Sequence, residues 1–275
     1  MKTIFALVLL TGLLAYRPPA PVTNRPDFAR FFDAEKLPGS FLLYDLKKDA
    51  YTAYRFDRCQ QGFLPASTFK IPNTLIGLET GILPDENTIM KWDGVRRDIV
   101  AWNQDHTLRS AFQASCVPCY RELARKIGLT RMQTFVDKAR YGRMDIRADN
   151  LDRFWLNGNS RISQVEEIDF LRRVHSGDVP FSERSRAILK KVMLITDAPT
   201  YKLYGKTGWA TTIDSVAIDK STPDVGWFVG YVEKGDDVYF FATNVEHPAP
   251  VPDTFIPGRR RITEKVLAEL GIIQR

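Results

Sequence analysis

The stretch PASTFKIPNTLIGLETG, Pro65 to Gly81, places a serine, a lysine three positions later and a long apolar run in one short segment. Ile71, Leu75, Leu78 and Ile82 recur at spacings of four, three and four, the stripe that one helix face buries in a core. Gly81 supplies a stop. Residues three apart share a helix face, so Ser67 Oγ and Lys70 Nζ meet if the helix begins at or just before Ser67. A lysine is a base only when neutral, and its reference pKa is near 10.4. The positive end of the helix dipole and burial beside Phe69 both disfavour the ammonium. A drop of about three units takes roughly 4 kcal/mol, within reach of a mostly buried site. The product is a serine activated without histidine. Ser67 also reads as the N-cap of its helix. Pro72, which lacks a donor, should loosen the turn around Thr68.

Further along the chain, Ser115-Cys116-Val117 reads as S-x-V at a helix start, and Lys206-Thr207-Gly208 as K-T-G at the end of a strand. In order, spacing and setting these resemble the S-x-x-K, S-x-N and K-T-G set of penicillin-recognising serine enzymes. Rival chemistries lack their residues. No G-x-S-x-G elbow or H-E-x-x-H is present, and no phosphate-binding glycine loop. His106, His175 and His247 sit in no triad-like context and read as structural. No cysteine/histidine cluster has zinc spacing, so no metal site is expected.

Around this segment the chain reads as a mixed α/β (α+β) fold. GSFLLYDLKKDAYTAYRF, Gly39 to Phe56, holds two strand-like runs about Lys47-Lys48-Asp49, a hairpin. A mostly helical middle follows. Leu123, Ala124 and Ile127 mark one helix, and Met132, Phe135, Val136 and Ala139 another. Ile168, Leu171 and Val174 mark a third, opened by a Ser163/Glu166 capping box. Strands return in TYKLYGKTGWA and in a second hairpin across Lys234 to Asp237, and RRRITEKVLAELG closes with a helix. Strands at both chain ends must pair non-locally to cover their edges. The expectation is one antiparallel sheet built from both ends, flanked by helices, with a helical region inserted between them.

Met1 to Tyr16, MKTIFALVLLTGLLAY, has a lysine before an apolar run of signal-peptide length, shorter than a membrane span needs. Residues 1–20 are therefore expected to be a leader with cleavage between Ala15 and Ala20, and residues 21–275 one catalytic domain, exported to the periplasm. No membrane span is expected. The net charge is +6, yet its arginines and lysines are dispersed without interleaved aromatics, which argues against nucleic acid and for a small anionic substrate or an anionic envelope polymer. Three cysteines do not make a disulfide framework. Cys116 and Cys119 form C-x-x-C, but no strand precedes them as a thioredoxin-like site requires, and packed thiols are expected.

At PASTFKIPNTLIGLETG, KWDG, WNQDHTLRSAFQASCVPCYRELARKIG, YGRMDI, FWLNGNSRISQVEEIDFLRR, KTGW and GWFVGYVE the chain resembles the class D β-lactamases, the oxacillinases. The likeness runs from about Phe41 to the C-terminus. It implies a serine β-lactamase/transpeptidase-like fold and hydrolysis of a small-molecule β-lactam through an acyl-enzyme at Ser67. It further implies Lys70 carboxylated on Nζ by CO2 as the base, no metal, and a carbamate pocket of Val117, Trp155 and Leu156. Ser115 would pass protons to the ring nitrogen. Lys206, Thr207 and Arg259 would hold the substrate carboxylate, and the N–H groups of Ser67 and of Trp209, after Gly208, would form an oxyanion hole. A homodimer is left open. The family usually reads Y-G-N where this chain has Tyr141-Gly142-Arg143, a long cation in place of a small amide. A sensor domain that acylates without turnover, a D,D-peptidase and a thiol–disulfide oxidoreductase are the competing readings.

Overall fold

The computed structural model describes residues 20–210 and 223–274. The expected leader, apart from Ala20, lies outside the described residues. The described chain opens with β1 (Val22–Asn24), α1 (Ala29–Glu35), β2 (Gly39–Asp45), β3 (Ala50–Tyr54) and α2 (Phe56–Cys59). A long middle follows: α3 (Lys70–Glu79), β4 (Ile89–Met90), β5 (His106–Thr107), α4 (Leu108–Gln113), α5 (Val117–Ile127), α6 (Leu129–Ala139), α7 (Gln164–Ser176) and α8 (Glu183–Met193). It ends with β6 (Leu194–Asp197), β7 (Lys202–Ala210), β8 (Asp224–Lys234), β9 (Asp237–His247) and α9 (Phe255–Glu269).

Seven strands form one sheet in the order β1-β3-β2-β9-β8-β7-β6, and β4 and β5 pair separately. The sheet is built from both chain ends as the sequence implies, with β2 against β9 from Gly39↔Val245 to Asp45↔Tyr239. One pair departs from the expected antiparallel pattern: β1 lies parallel to β3. The chain crosses over α1 and runs through β2 before β3 returns beside β1, so the edge strand and β3 point the same way.

The sheet is covered on both faces, and the pleat assigns alternate side chains to each. Leu42, Tyr44, Trp227, Val229, Phe240 and Ala242 join the core shared with the helical middle. Phe41, Leu43, Phe228, Val232, Phe241 and Val245 join a second core closed by α1 and α9. That double burial explains the continuous apolar runs of β8 and β9. Glu35 on α1 is buried and paired with Arg261 (2.6 Å) and Lys265 (3.0 Å) of α9, which fastens the outer helices to each other. On β7, Leu203 faces the outer core and Tyr204 the inner one. Two positions on, Lys206 falls on the inner face, toward α3.

The capping box is formed: Ser163 Oγ accepts from Glu166 N–H at 3.2 Å, and Glu166 Oε2 accepts from Ser163 N–H at 2.7 Å. Ser163→Ala should therefore cost about 1 kcal/mol. Urea denaturation is expected to show a lower midpoint at unchanged slope.

Candidate active site

Ser67 lies in a 3₁₀ turn, Ala66–Phe69, that runs into α3 at Lys70. It is not the N-cap the sequence suggested, since neither this turn nor α3 has a side-chain cap. The reason is Pro72: it has no N–H to return to the Thr68 carbonyl, so the α ladder cannot extend back over Ser67 and the turn tightens instead. Ser67 Oγ is thereby left for Lys70, whose Nζ lies 2.8 Å away. The turn is strained where it enters. Ala66 has φ +51° and is held there by its N–H, which donates to Trp155 O at 2.8 Å.

Lys70 is fully buried, and loss of hydration pulls its ammonium down to about 7. Lys206 is depressed well below the usual range, by burial first and then by Lys70 and Arg259. Arg259 falls to about 10 through burial. Three buried basic groups, none with a protein carboxylate among the causes of its shift, make a site prepared for an anionic ligand. Lys206 Nζ donates to Ser115 Oγ at 3.0 Å and to Thr207 O at 2.9 Å. Ser115 is a second non-glycine residue with a left-handed backbone, φ +53°, just before Cys116, the N-cap of α5. The Ser115–Lys206 bond thus joins the S-x-V and K-T-G segments, and the field of Lys70 at Lys206 brings the S-x-x-K segment beside them.

Gly208 shows how closely β7 meets the Ser67 turn. A Cβ there would stand 3.3 Å from Pro65 O and 3.3 Å from Thr68 Cγ2. Arg259 reaches the same strand by donating from Nη1 to Gly208 O, while its Nε has no partner. Trp209 turns its ring outward, donating from Nε1 to Asp224 Oδ2 at 2.8 Å. Trp155 is fully buried and stacked on Phe69 at 5.3 Å, and its Nε1–H has no acceptor. Half-buried Val117 and Leu156 line a cleft of about 570 Å³ whose other walls are largely charged, with Arg97, Asp98, Arg121 and Arg153, and which Lys70 and Trp155 do not line.

Arg143 disturbs none of this. Its side chain is exposed, and its backbone pairs with Arg161 in both directions at 2.8 Å. Gly142 beside it has φ +55° and no room for a Cβ, which would stand 2.7 Å from Arg161 O. The three histidines are engaged elsewhere: His106 with Ser110 Oγ and Ala101 O, His175 against Tyr231 and Phe240, His247 with Pro248 O. The expectation of packed thiols fails, because Cys116 and Cys119 are joined as a disulfide. A helix start brings an N-cap residue and the residue three positions on within bonding reach, here 5.4 Å between Cα atoms. His106 stands within 4.8 Å of these sulfurs, the one such His/Cys grouping among the described residues.

A penicillin-binding protein transpeptidase domain matches residues 39–268. β-Lactamase OXA-10 of Pseudomonas aeruginosa is 36% identical over 273 residues, 99% of each chain. β-Lactamase OXA-48 of Klebsiella pneumoniae is 42% identical over 242 residues, 88% of this chain and 87% of its own. Among solved structures, the class D β-lactamase YbXI from Nostoc superposes with a TM-score of 0.83 at 39% identity, covering 90% of this chain and 99% of its own.

Sequence reasoning missed the support beneath Ser67. Glu167 of α7 is fully buried and accepts from Tyr141 OH (2.8 Å) and Thr68 Oγ1 (2.5 Å), with its second oxygen unpartnered. Only its place in the α7 pattern, one residue before Ile168, hinted that it faces inward. Burial pushes its carboxyl up to about 7 from 4.5. The folded state then holds a proton that the unfolded chain releases, so this group's contribution to stability falls as pH rises from about 4.5 through 7. The loss is on the order of 3 kcal/mol. Glu167→Gln should remove it, so denaturation at pH 5 and pH 8 is expected to show the variant gaining on the wild type at the higher pH.

Proposed function

Since this chain belongs to the class D β-lactamases, we propose that it opens the β-lactam amide through an acyl-enzyme on Ser67, with Lys70 as the base. The observation that carries this reading is the fully buried Lys70, lowered to about 7 and 2.8 Å from Ser67 Oγ. A neutral amine there takes the hydroxyl proton as Oγ attacks the ring carbonyl. Ser67 and Trp209 N–H groups hold the developing oxyanion, each donor being worth about 3–4 kcal/mol. The tight approach of Gly208 to the Ser67 turn supports that pairing. Ser115, bonded to Lys206, delivers a proton to the departing ring nitrogen. Lys206, Thr207 and Arg259 attract the substrate carboxylate, Lys206 as a point charge and Arg259 with Nε unspent.

A carboxylated Lys70 fits the pocket. CO2 adds only to a neutral amine, and the buried, unpartnered Trp155 Nε1–H is a donor awaiting an acceptor. When present, that carboxyl group supplies an anionic oxygen as base for both acylation and deacylation. By the family resemblance Val117 and Leu156 flank it, and Trp155 orients it. The leader-like residues 1–20 support export to the periplasm, and no described helix is long and apolar enough to cross a membrane.

Turnover of a chromogenic cephalosporin by the mature protein tests this, measured with and without bicarbonate. Sustained hydrolysis is expected; one stoichiometric burst that stops would identify a sensor or peptidase. Lys70 must be neutral, so activity should fall as pH drops through about 7, approaching tenfold per unit. Bicarbonate should move that limb to lower pH by drawing off neutral amine; an unmoved limb would remove the carboxylated lysine. Lys70→Ala is expected to lose about 10²–10⁴-fold in rate. Trp155→Phe keeps the ring on Phe69 but should make turnover depend on high bicarbonate.

A further inference from the structure

The Cys116–Cys119 disulfide lies in the turn that carries two site residues, for Cys116 stands between Ser115 and Val117. Its two sulfurs are unequally placed. Cys116 is fully enclosed, whereas Cys119 keeps 8% exposure and lines a cavity of about 320 Å³ with Trp92, Trp102, Pro118 and Leu123. Cys116 is also the N-cap of the 11-residue helix α5, and its Sγ accepts from Cys119 N–H at 3.3 Å.

We propose that Cys119 is a thiol-exchange site, at which a small monothiol entering this cavity opens the disulfide. The incoming thiolate forms a bond to Cys119 Sγ. The Cys116–Cys119 S–S bond breaks, and its electron pair leaves on Cys116 Sγ. No further oxidant or reductant is consumed: one disulfide becomes a mixed disulfide plus one protein thiolate. Access selects Cys119 as the sulfur attacked. The leaving group agrees, because a thiolate at a helix N-terminus is stabilised by the dipole and by its N–H donor, and a stabilised thiolate departs faster. Trp92, Trp102 and Leu123 share the lining with Lys91, Asp93, Glu122, Arg125 and Lys126, charges of both signs, so the cavity selects its thiol by size rather than by charge.

Opening the bond removes the staple between Cys116 and the first turn of α5. Ser115 is held in a left-handed conformation next to that staple, and Lys206 depends on its Oγ as a partner. The opened form therefore turns β-lactam over more slowly, a consequence that rests on the β-lactamase reading, whereas the exchange itself does not.

The oxidised full chain is incubated with 2-mercaptoethanol, unfolded at mildly acidic pH in excess N-ethylmaleimide, and mapped by peptide mass. The expected product carries mercaptoethanol on Cys119 and maleimide on Cys116. Adduct on Cys116, an even split, or a disulfide that stays closed in the folded chain while the unfolded chain reacts overturns the proposal. Cephalosporin turnover by the same samples should fall by about tenfold or more as adduct accumulates and recover on removal of the thiol and reoxidation. Full adduct with unchanged turnover overturns the coupling to Ser115. In Cys119→Ser, turnover should not respond to the thiol; a response there would also overturn it. A chain that maps as expected yet hydrolyses nothing when oxidised counts against the β-lactamase reading and leaves the exchange site standing.

Discussion

An amine stripped of water beside a serine hydroxyl is the constraint from which the rest of this molecule follows. Burying an ammonium without a carboxylate is costly, and the chain meets that cost by letting the proton go rather than by pairing the charge. Everything around Lys70 serves this end. Phe69, Phe154 and Trp155 pack edge-on or stacked within about 5 Å of one another and exclude water. Tyr120 presents a ring face to the amine at 5.1 Å. A carboxylate in this shell would restore the ammonium and disarm it. The nearby buried acid, Glu167, is kept on the far side of Thr68 and Tyr141 by its own hydrogen bonds.

Holding such a site needs rigid surroundings, and the strain sits where the support is strongest. Ala66 and Ser115 adopt backbone conformations that side chains disfavour, at a cost of about 1–3 kcal/mol each. Each is caught between elements fixed by the two-sided sheet: the Ser67 turn against β7, and the Ser115 turn against Lys206 on that strand. The groups to which we assign the reaction come from a turn, a helix start and a strand, so no single element can shift without the others registering it.

Much of this was legible in the sequence because short-range rules govern it. The Ser67/Lys70 spacing, the Ser163/Glu166 box and the hairpin about Lys234 to Asp237 all depend on neighbours, and each stands as read. The sheet that both ends of the chain share, and on which β7 carries the K-T-G segment, is what the edge-strand argument anticipates. Where reading failed, the deciding partner was distant or geometric. Ser67 is no cap because Pro72 reshapes the turn before it. The direction of β1 depends on a crossover that no local pattern encodes. The Cys116–Cys119 bond depends on the pitch of the α5 N-terminus rather than on the number of cysteines. Glu167 became part of the site only through Tyr141 and Thr68, well removed in sequence.

The pairing of β2 with β9 joins Gly39 to Val245, and β8 and β7 attach to the sheet only through β9. While the chain is being made, the Ser67 turn therefore has no β7 to lean on, and Lys206 has no fixed place, until the C-terminal hairpin arrives. Closing so long a loop is slow and leaves strand edges open in the meantime. The catalytic apparatus is consequently among the last things assembled. A truncated or unfinished chain carries the serine and its lysine but no competent enzyme, so chemistry begins only with a complete molecule.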